Sequence, residues 1–157
     1  GIPQSHYSFH CRECTDSKGC GKLHVYVIEL DRAKALKNKK FLKKNPHIDE
    51  SFSGKCFYVG QTSHNPACRY KGHAGRRKRY WCSCMTNEPK LRLKEDGNKP
   101  SKVTGPSKCL GLRPYLYKHL NPVAKASKAG QEKVKEAEGE LARELIEAGH
   151  AAYSDAL

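Results

Sequence analysis

A chain of 157 residues has room for one domain with a modest core and a small appendage. Hydrophobic residues supply 37% and charged residues 29%, so the more polar stretches need something beyond apolar burial to order them. No apolar run approaches the roughly 20 residues of a membrane span, and the opening GIPQSHYSFHC has no signal-type apolar region, so the expectation is a cytoplasmic protein with no membrane partner.

The net charge is +14, and its distribution says more than its size. No acidic residue occurs between Glu50 and Glu88, while Arg69, Lys71, Arg76, Arg77, Lys78 and Arg79 all fall there. A second basic block runs from Arg32 to Lys44, and acids gather after Gln131. Segregated positive charge of this kind fits a polyanion, because phosphate neutralisation releases counterions.

Residues 1–23 read as an irregular Cys-rich arm, and the rest of the chain, 24–157, as the folded domain. HVYVIEL, His24 to Leu30, is short, β-branched and aromatic, and reads as a buried strand. Asp31 then caps a basic helix, RAKALKNKKFLKK, that stops at Asn45-Pro46. KCFYVGQ, Lys55 to Gln61, reads as a second strand pairing antiparallel with the first, which makes 31–54 an insertion in their connection. Asn65-Pro66 opens a helix through at least Ala74. Residues 82–108, rich in Pro, Gly and Lys, read as an extended excursion. LGLRPYLYKHLNP is a compact segment with a short helix, Gln131 to Ala148 is a long helix ended by Gly149, and Ala151 to Tyr153 is a final edge strand. The fold class is α+β, a small antiparallel sheet flanked by helices.

Three groups of residues could carry chemistry. On the long helix Val134, Ala137, Leu141, Leu145 and Ala148 form an apolar stripe, and Glu138 lies inside it while the other glutamates lie outside. A carboxylate there must be neutralised, paired or bound to a cation, and a lone carboxylate suits Mg²⁺, which keeps several waters. Arg69 and His73 are four apart on one helix face and could address one phosphate, opposite Ala67, Tyr70 and Ala74 on the packing face. Tyr26 and Tyr58 sit centrally in the two strands, where a tyrosine is most often core with a tethered hydroxyl.

Taken together, HVY at 24–26, YVG at 58–60 followed by Gln61-Thr62, Arg69 with His73, and Glu138 in EAEGELARELIEAG resemble the GIY-YIG nuclease family. The resemblance spans about residues 24 to 153 and is most specific in FYVGQTSHNPACRYKGHAG; the segment after Leu112 looks similar to bacterial members of undetermined role. It implies a Mg²⁺- or Mn²⁺-dependent endonuclease that hydrolyses DNA, with RNA as another possible substrate. It makes Tyr26 or its bound water the general base and has Tyr58 position the water or scissile phosphate. Arg69 would stabilise charge on phosphorus, His73 assist at the phosphate or leaving group, and Glu138 hold the metal. Gln61, Arg76, Arg77, Lys78 and Arg79 would grip the nucleic acid. His24 stands in place of the pattern's first glycine, the 31–54 connection is long, and the late asparagine of some members has no clear counterpart.

The eight cysteines, without a secretory signal, favour metal or buried thiols over disulfides. Cys11 with Cys14 (C-x₂-C) and Cys82 with Cys84 (C-x-C) together supply the four thiolates of a structural Zn²⁺ site joining the arm to the excursion; His10, Cys20 and Cys109 are alternative ligands. Cys56 and Cys68 read as small core residues. The rival to an endonuclease is therefore a zinc-containing nucleic-acid-binding module on a catalytically silent nuclease fold.

Overall fold

The computed structural model describes residues 22–74 and 102–157. β1, Lys22–Leu30, and β2, Cys56–Thr62, take the two β-branched, aromatic runs and pair antiparallel, with Tyr26 opposite Gly60 and Ile28 opposite Tyr58. β1 begins two residues before the domain start expected at 24. Its side chains alternate, so Leu23, Val25 and Val27 face one side and His24, Tyr26 and Ile28 the other.

The connection between β1 and β2 departs from the expected single basic helix. It holds two short ones, α1 at Arg32–Ala35 and α2 at Lys39–Lys43. Asn38 breaks the run: its backbone is extended, and its side chain accepts the Phe41 N–H at 3.0 Å as the cap of α2. Phe41 then inserts fully into the core, a burial that stabilises the segment by about 1.5–3 kcal/mol.

After β2, Asn65 caps α3, Pro66–His73, by accepting from Ala67 N at 2.8 Å. The later segment contains β3 at Cys109–Leu112, two 3₁₀ turns at Pro114–Leu116 and Lys118–Leu120, and β4 at Ala124–Lys125. The long helix α4 spans Lys128–Glu147, starts under Ser127 as N-cap and gives way to Gly149 at φ +97°, a backbone that favours glycine. β5 follows at Ala151–Tyr153.

These strands form a five-stranded sheet in the order β3-β1-β2-β5, with β4 also on β1. The sheet is mixed, which corrects the purely antiparallel expectation: β5 pairs with β2 in parallel, Cys56 to Ala151 through Tyr58 to Tyr153. The cause is α4. β4 is antiparallel to β1 and so runs the same way as β2. The helix then returns the chain along the sheet, so the strands at its two ends point the same way. Its stripe of Val134, Leu141, Ala142 and Leu145 is buried against β1, β2 and β5. Among the described residues no helix is long and apolar enough to cross a membrane.

Two asparagine side chains act as surrogate strands where no strand reaches. Asn121 accepts from Val25 N at 2.9 Å and donates to Val25 O at 2.7 Å, filling the gap between β3 and β4 along β1. Asn45, 1% exposed, does the same for Ala152 on the outer side of β5, at 2.9 Å in both directions, and also donates to Phe41 O at 2.8 Å. Removing that amide strands buried peptide groups, each at about 1–3 kcal/mol. Asn45→Ala should accordingly lower unfolding stability by about 3 kcal/mol, read as a fall in the urea midpoint at unchanged slope. A variant within 0.5 kcal/mol, roughly the surface-substitution range, would show that water replaces the amide.

Candidate active site

Tyr26 is 1% exposed, and its ring lies over Gly60 on the neighbouring strand. A Cβ at position 60 would come within 2.5 Å of the Tyr26 hydroxyl oxygen and 2.6 Å of Cζ. Glycine is therefore a steric requirement there, and it lets the hydroxyl project past β2. β5 ends at Tyr153 opposite Tyr58, so among the described residues β2 from Val59 onward has no strand on that side. A cleft of about 200 Å³ forms at this open edge, lined by Tyr26, Tyr58, Gly60, Gln61, Arg69 and Glu138.

α3 turns Arg69 and His73 toward this place. His73 Nε2 sits 2.7 Å from the Tyr26 hydroxyl and Nδ1 3.1 Å from Thr104 Oγ1. Burial first, then the Arg69 charge, depresses His73 to a pKa of about 3, so the imidazole is neutral at physiological pH. One of its nitrogens must then accept. Burial, then the neighbouring Tyr58, raises the Tyr26 pKa, keeping the phenol protonated; Arg69 opposes this through its charge and a hydrogen bond. A guanidinium can only donate, so the Tyr26 proton points to His73 Nε2, and Nδ1–H is left for Thr104. Burial also raises the Tyr58 pKa. Tyr58 stacks on Tyr153 at 5.9 Å and 13°, and the Lys44 ammonium lies 5.0 Å from the Tyr153 ring.

Arg69 is only partly satisfied: Nη1 is buried and has no hydrogen-bond partner among the described residues. A guanidinium that lines a cleft with N–H capacity to spare matches an anionic oxygen. Across the cleft Glu138, 3% exposed, receives hydrogen bonds from Ser154 Oγ and from Ala156 N at 3.2 Å, both on Oε2. Burial raises its pKa, the two hydrogen bonds oppose the rise, and Asp155 adds to it. Oε1 takes neither bond, so the donor set suits a cation. Among the described residues no group of three or more His, Cys, Asp or Glu has metal-holding geometry. A divalent ion here would take most of its shell from water and phosphate oxygens, the habit of Mg²⁺ rather than Ca²⁺.

The structure thus brings Tyr26, Tyr58, Gln61, Arg69 and Glu138 to one cleft, with His73 directly behind Tyr26. His73 engages the tyrosine and Thr104 rather than standing alone at the cleft mouth. Arg76, Arg77, Lys78 and Arg79 lie outside the described residues, as do Cys11, Cys14, Cys82 and Cys84 and the alternatives His10 and Cys20. Cys109 is buried in the core beside the His73 carbonyl, and Cys56 and Cys68 are buried and outside any disulfide. Thr104, Lys135, Ser154 and Asp155 escaped the sequence reading. Ser154 carried a faint signal, a polar residue directly after an apolar edge strand; Thr104, in a Pro/Gly-rich stretch, carried none. Comparisons with known protein families, with curated proteins and with solved structures gave no match.

The neutral His73 leaves a mark on stability. Its folded pKa lies below the ordinary 6.5, so between pH 6.5 and about 3 the unfolded chain binds a proton that the folded one refuses. That contribution is complete above pH 6.5 and is lost as the pH falls, at up to about 1.4 kcal/mol per pH unit. Glu138, raised instead, slopes the opposite way. The isolating comparison is wild type against His73→Gln, with urea midpoints from pH 7.5 to 4.5. Wild type should lose stability more steeply below pH 6.5, and parallel curves would refute a buried neutral imidazole.

Proposed function

We propose that the protein is a Mg²⁺-dependent endonuclease of the GIY-YIG kind, hydrolysing phosphodiester bonds in DNA. The observation that carries this reading is Tyr26, hydrogen-bonded to His73 behind it, sharing one cleft with Arg69 and the buried Glu138. Phosphodiester hydrolysis needs a positioned water that can lose a proton, a cation for the charge growing on phosphorus, and help for the departing oxygen.

Tyr26 donates to His73, and its remaining lone pair can accept the proton of an attacking water. His73 Nε2 is placed to take the tyrosine's own proton in turn. Arg69 holds a phosphate oxygen with Nη1. A phosphate bound there screens the Arg69 charge, one of the two causes that depress His73, and so raises the imidazole's proton affinity when substrate is present. Tyr58 walls the water's side of the cleft and Gln61 lines its rim. Mg²⁺ held by Glu138 would supply Lewis acidity at the leaving oxygen. The +14 chain supplies the long-range attraction for a polyanion.

The deciding experiment is cleavage of single-stranded, duplex and branched DNA, and of RNA, with and without Mg²⁺. Cleavage should require the metal. Glu138→Gln removes the ligand charge from a site that already disfavours it, so activity should collapse while the unfolding midpoint holds. Tyr26→Phe should cost about 10²–10⁴ in rate, and Gly60→Ala should cost a comparable amount by displacing the hydroxyl. Near wild-type rates in Glu138→Gln would sink the mechanism. Salt-sensitive binding with no cleavage of any substrate would make the chain a binding module instead.

A further inference from the structure

A second cavity, of about 440 Å³, lies beside β1 on the face that carries Tyr26. His24 and Tyr26 are alternate residues of one strand, hence on one face and ~7 Å apart along it. α3 spans the interval: its first residues, Pro66 and Ala67, line the cavity, and its last, His73, meets Tyr26. The lining is mostly carbon, with Pro66, Leu112, Pro114 and Tyr117 prominent, while Lys22 and Lys118 are exposed at its margin. His24 is among the lining residues, with the Lys22 and Thr62 backbone beside its ring. His24 is 6% exposed, and its Nδ1 is buried without a hydrogen-bond partner.

From this placement we infer that the cavity is a nucleobase subsite, holding the base of a nucleotide next to the phosphodiester in the Tyr26 cleft. A free phosphate would find a predominantly apolar lining and two ammonium groups only at the margin. A flat heteroaromatic ring suits such a lining, and a turn of the His24 ring would bring its unpartnered nitrogen to the base's edge donors and acceptors. Lys22 and Lys118 then meet the flanking phosphates. The volume falls in the range of small-molecule sites, roughly 300–1,000 Å³, and a neighbouring nucleotide can span the step from Tyr26 to His24. The inference rests on the nuclease reading, but it is tested by binding.

The test is NMR of protein labelled in its histidine rings, titrated with each deoxynucleoside 5′-monophosphate, with deoxyribose 5-phosphate and with inorganic phosphate, all without divalent metal. The His24 ring signals should move with at least one nucleotide and stay in place with the two base-free probes. His24→Phe should weaken that binding at least about tenfold, the worth of one good hydrogen bond. Ala67→Leu, which narrows the cavity without touching His24, should weaken it too and guards against misfolding of the first variant. Equal shifts with inorganic phosphate, or nucleotide binding that leaves His24 unmoved, would overturn the subsite even if the protein cleaves DNA. Nucleotide binding at His24 in a protein that cleaves nothing would sustain the subsite and remove the nuclease reading.

Discussion

Tyr26 faces Gly60 across the β1–β2 ladder, and most of the cleft follows from that pairing. A one-residue slip would turn every β1 side chain to the opposite face, burying Tyr26 under α4 and sending Val25 or Val27 to the cleft. The register is held by apolar demand on both faces, since Leu23, Val25, Val27 and Ile28 are all buried. Glycine at 60 then decides what the register delivers. With no side chain there the phenol lies flat against the β2 backbone, and its hydroxyl reaches the edge that β5 leaves open. His73 and Arg69 need only to arrive on α3 at the right height.

Charge placement adds a second constraint. Glu138 comes from α4, which packs one face of the sheet, and Arg69 from α3, which serves the other, and the cleft at the open edge of β2 is where the two approach. They do not form an ion pair with each other. Both line the cleft, and each keeps one atom outside the hydrogen bonds described, Oε1 on Glu138 and the buried Nη1 on Arg69. Paired to each other, the two would lose the capacity to meet a metal ion and a phosphate. Burial marks the surroundings of both: desolvation is the first cause of the raised Glu138 pKa and of the depressed pKa of His73, one turn along α3 from Arg69.

Much of this was legible in the sequence because it rests on short-range pattern. HVYVIEL and CFYVGQ announce strands, Asn65-Pro66 announces α3, and the stripe on α4 placed Glu138 on its buried side. What stayed hidden depends on partners distant in sequence. The parallel direction of β5 follows from β4, two residues with no strand signal of their own. The division of the basic helix rests on one Asn38 cap in a run whose composition otherwise favours helix. Thr104 reaches His73 from 31 residues away, and Ser154 reaches Glu138 from 16, each with a single hydroxyl.

α3 couples the two cavities on its face of the sheet. Cys68 and Ala74 seat it in the core, while Pro66 and Ala67 border one cavity and Arg69 and His73 furnish the other. A rigid helix eight residues long therefore fixes the offset between them at roughly 10 Å. The Asn65 cap at one end and the His73–Thr104 contact at the other hold that helix in place. Thr104 belongs to a segment that is itself anchored, through Lys102 O to Asn38 at 3.0 Å and through Ser107 O to Lys34 at 2.8 Å. The long 31–54 connection thus reaches the proposed chemistry indirectly: Asn38 and Lys34 pin the strap that carries Thr104, and Thr104 accepts the Nδ1–H that the Tyr26 bond leaves free and so holds the ring that meets the Tyr26 hydroxyl.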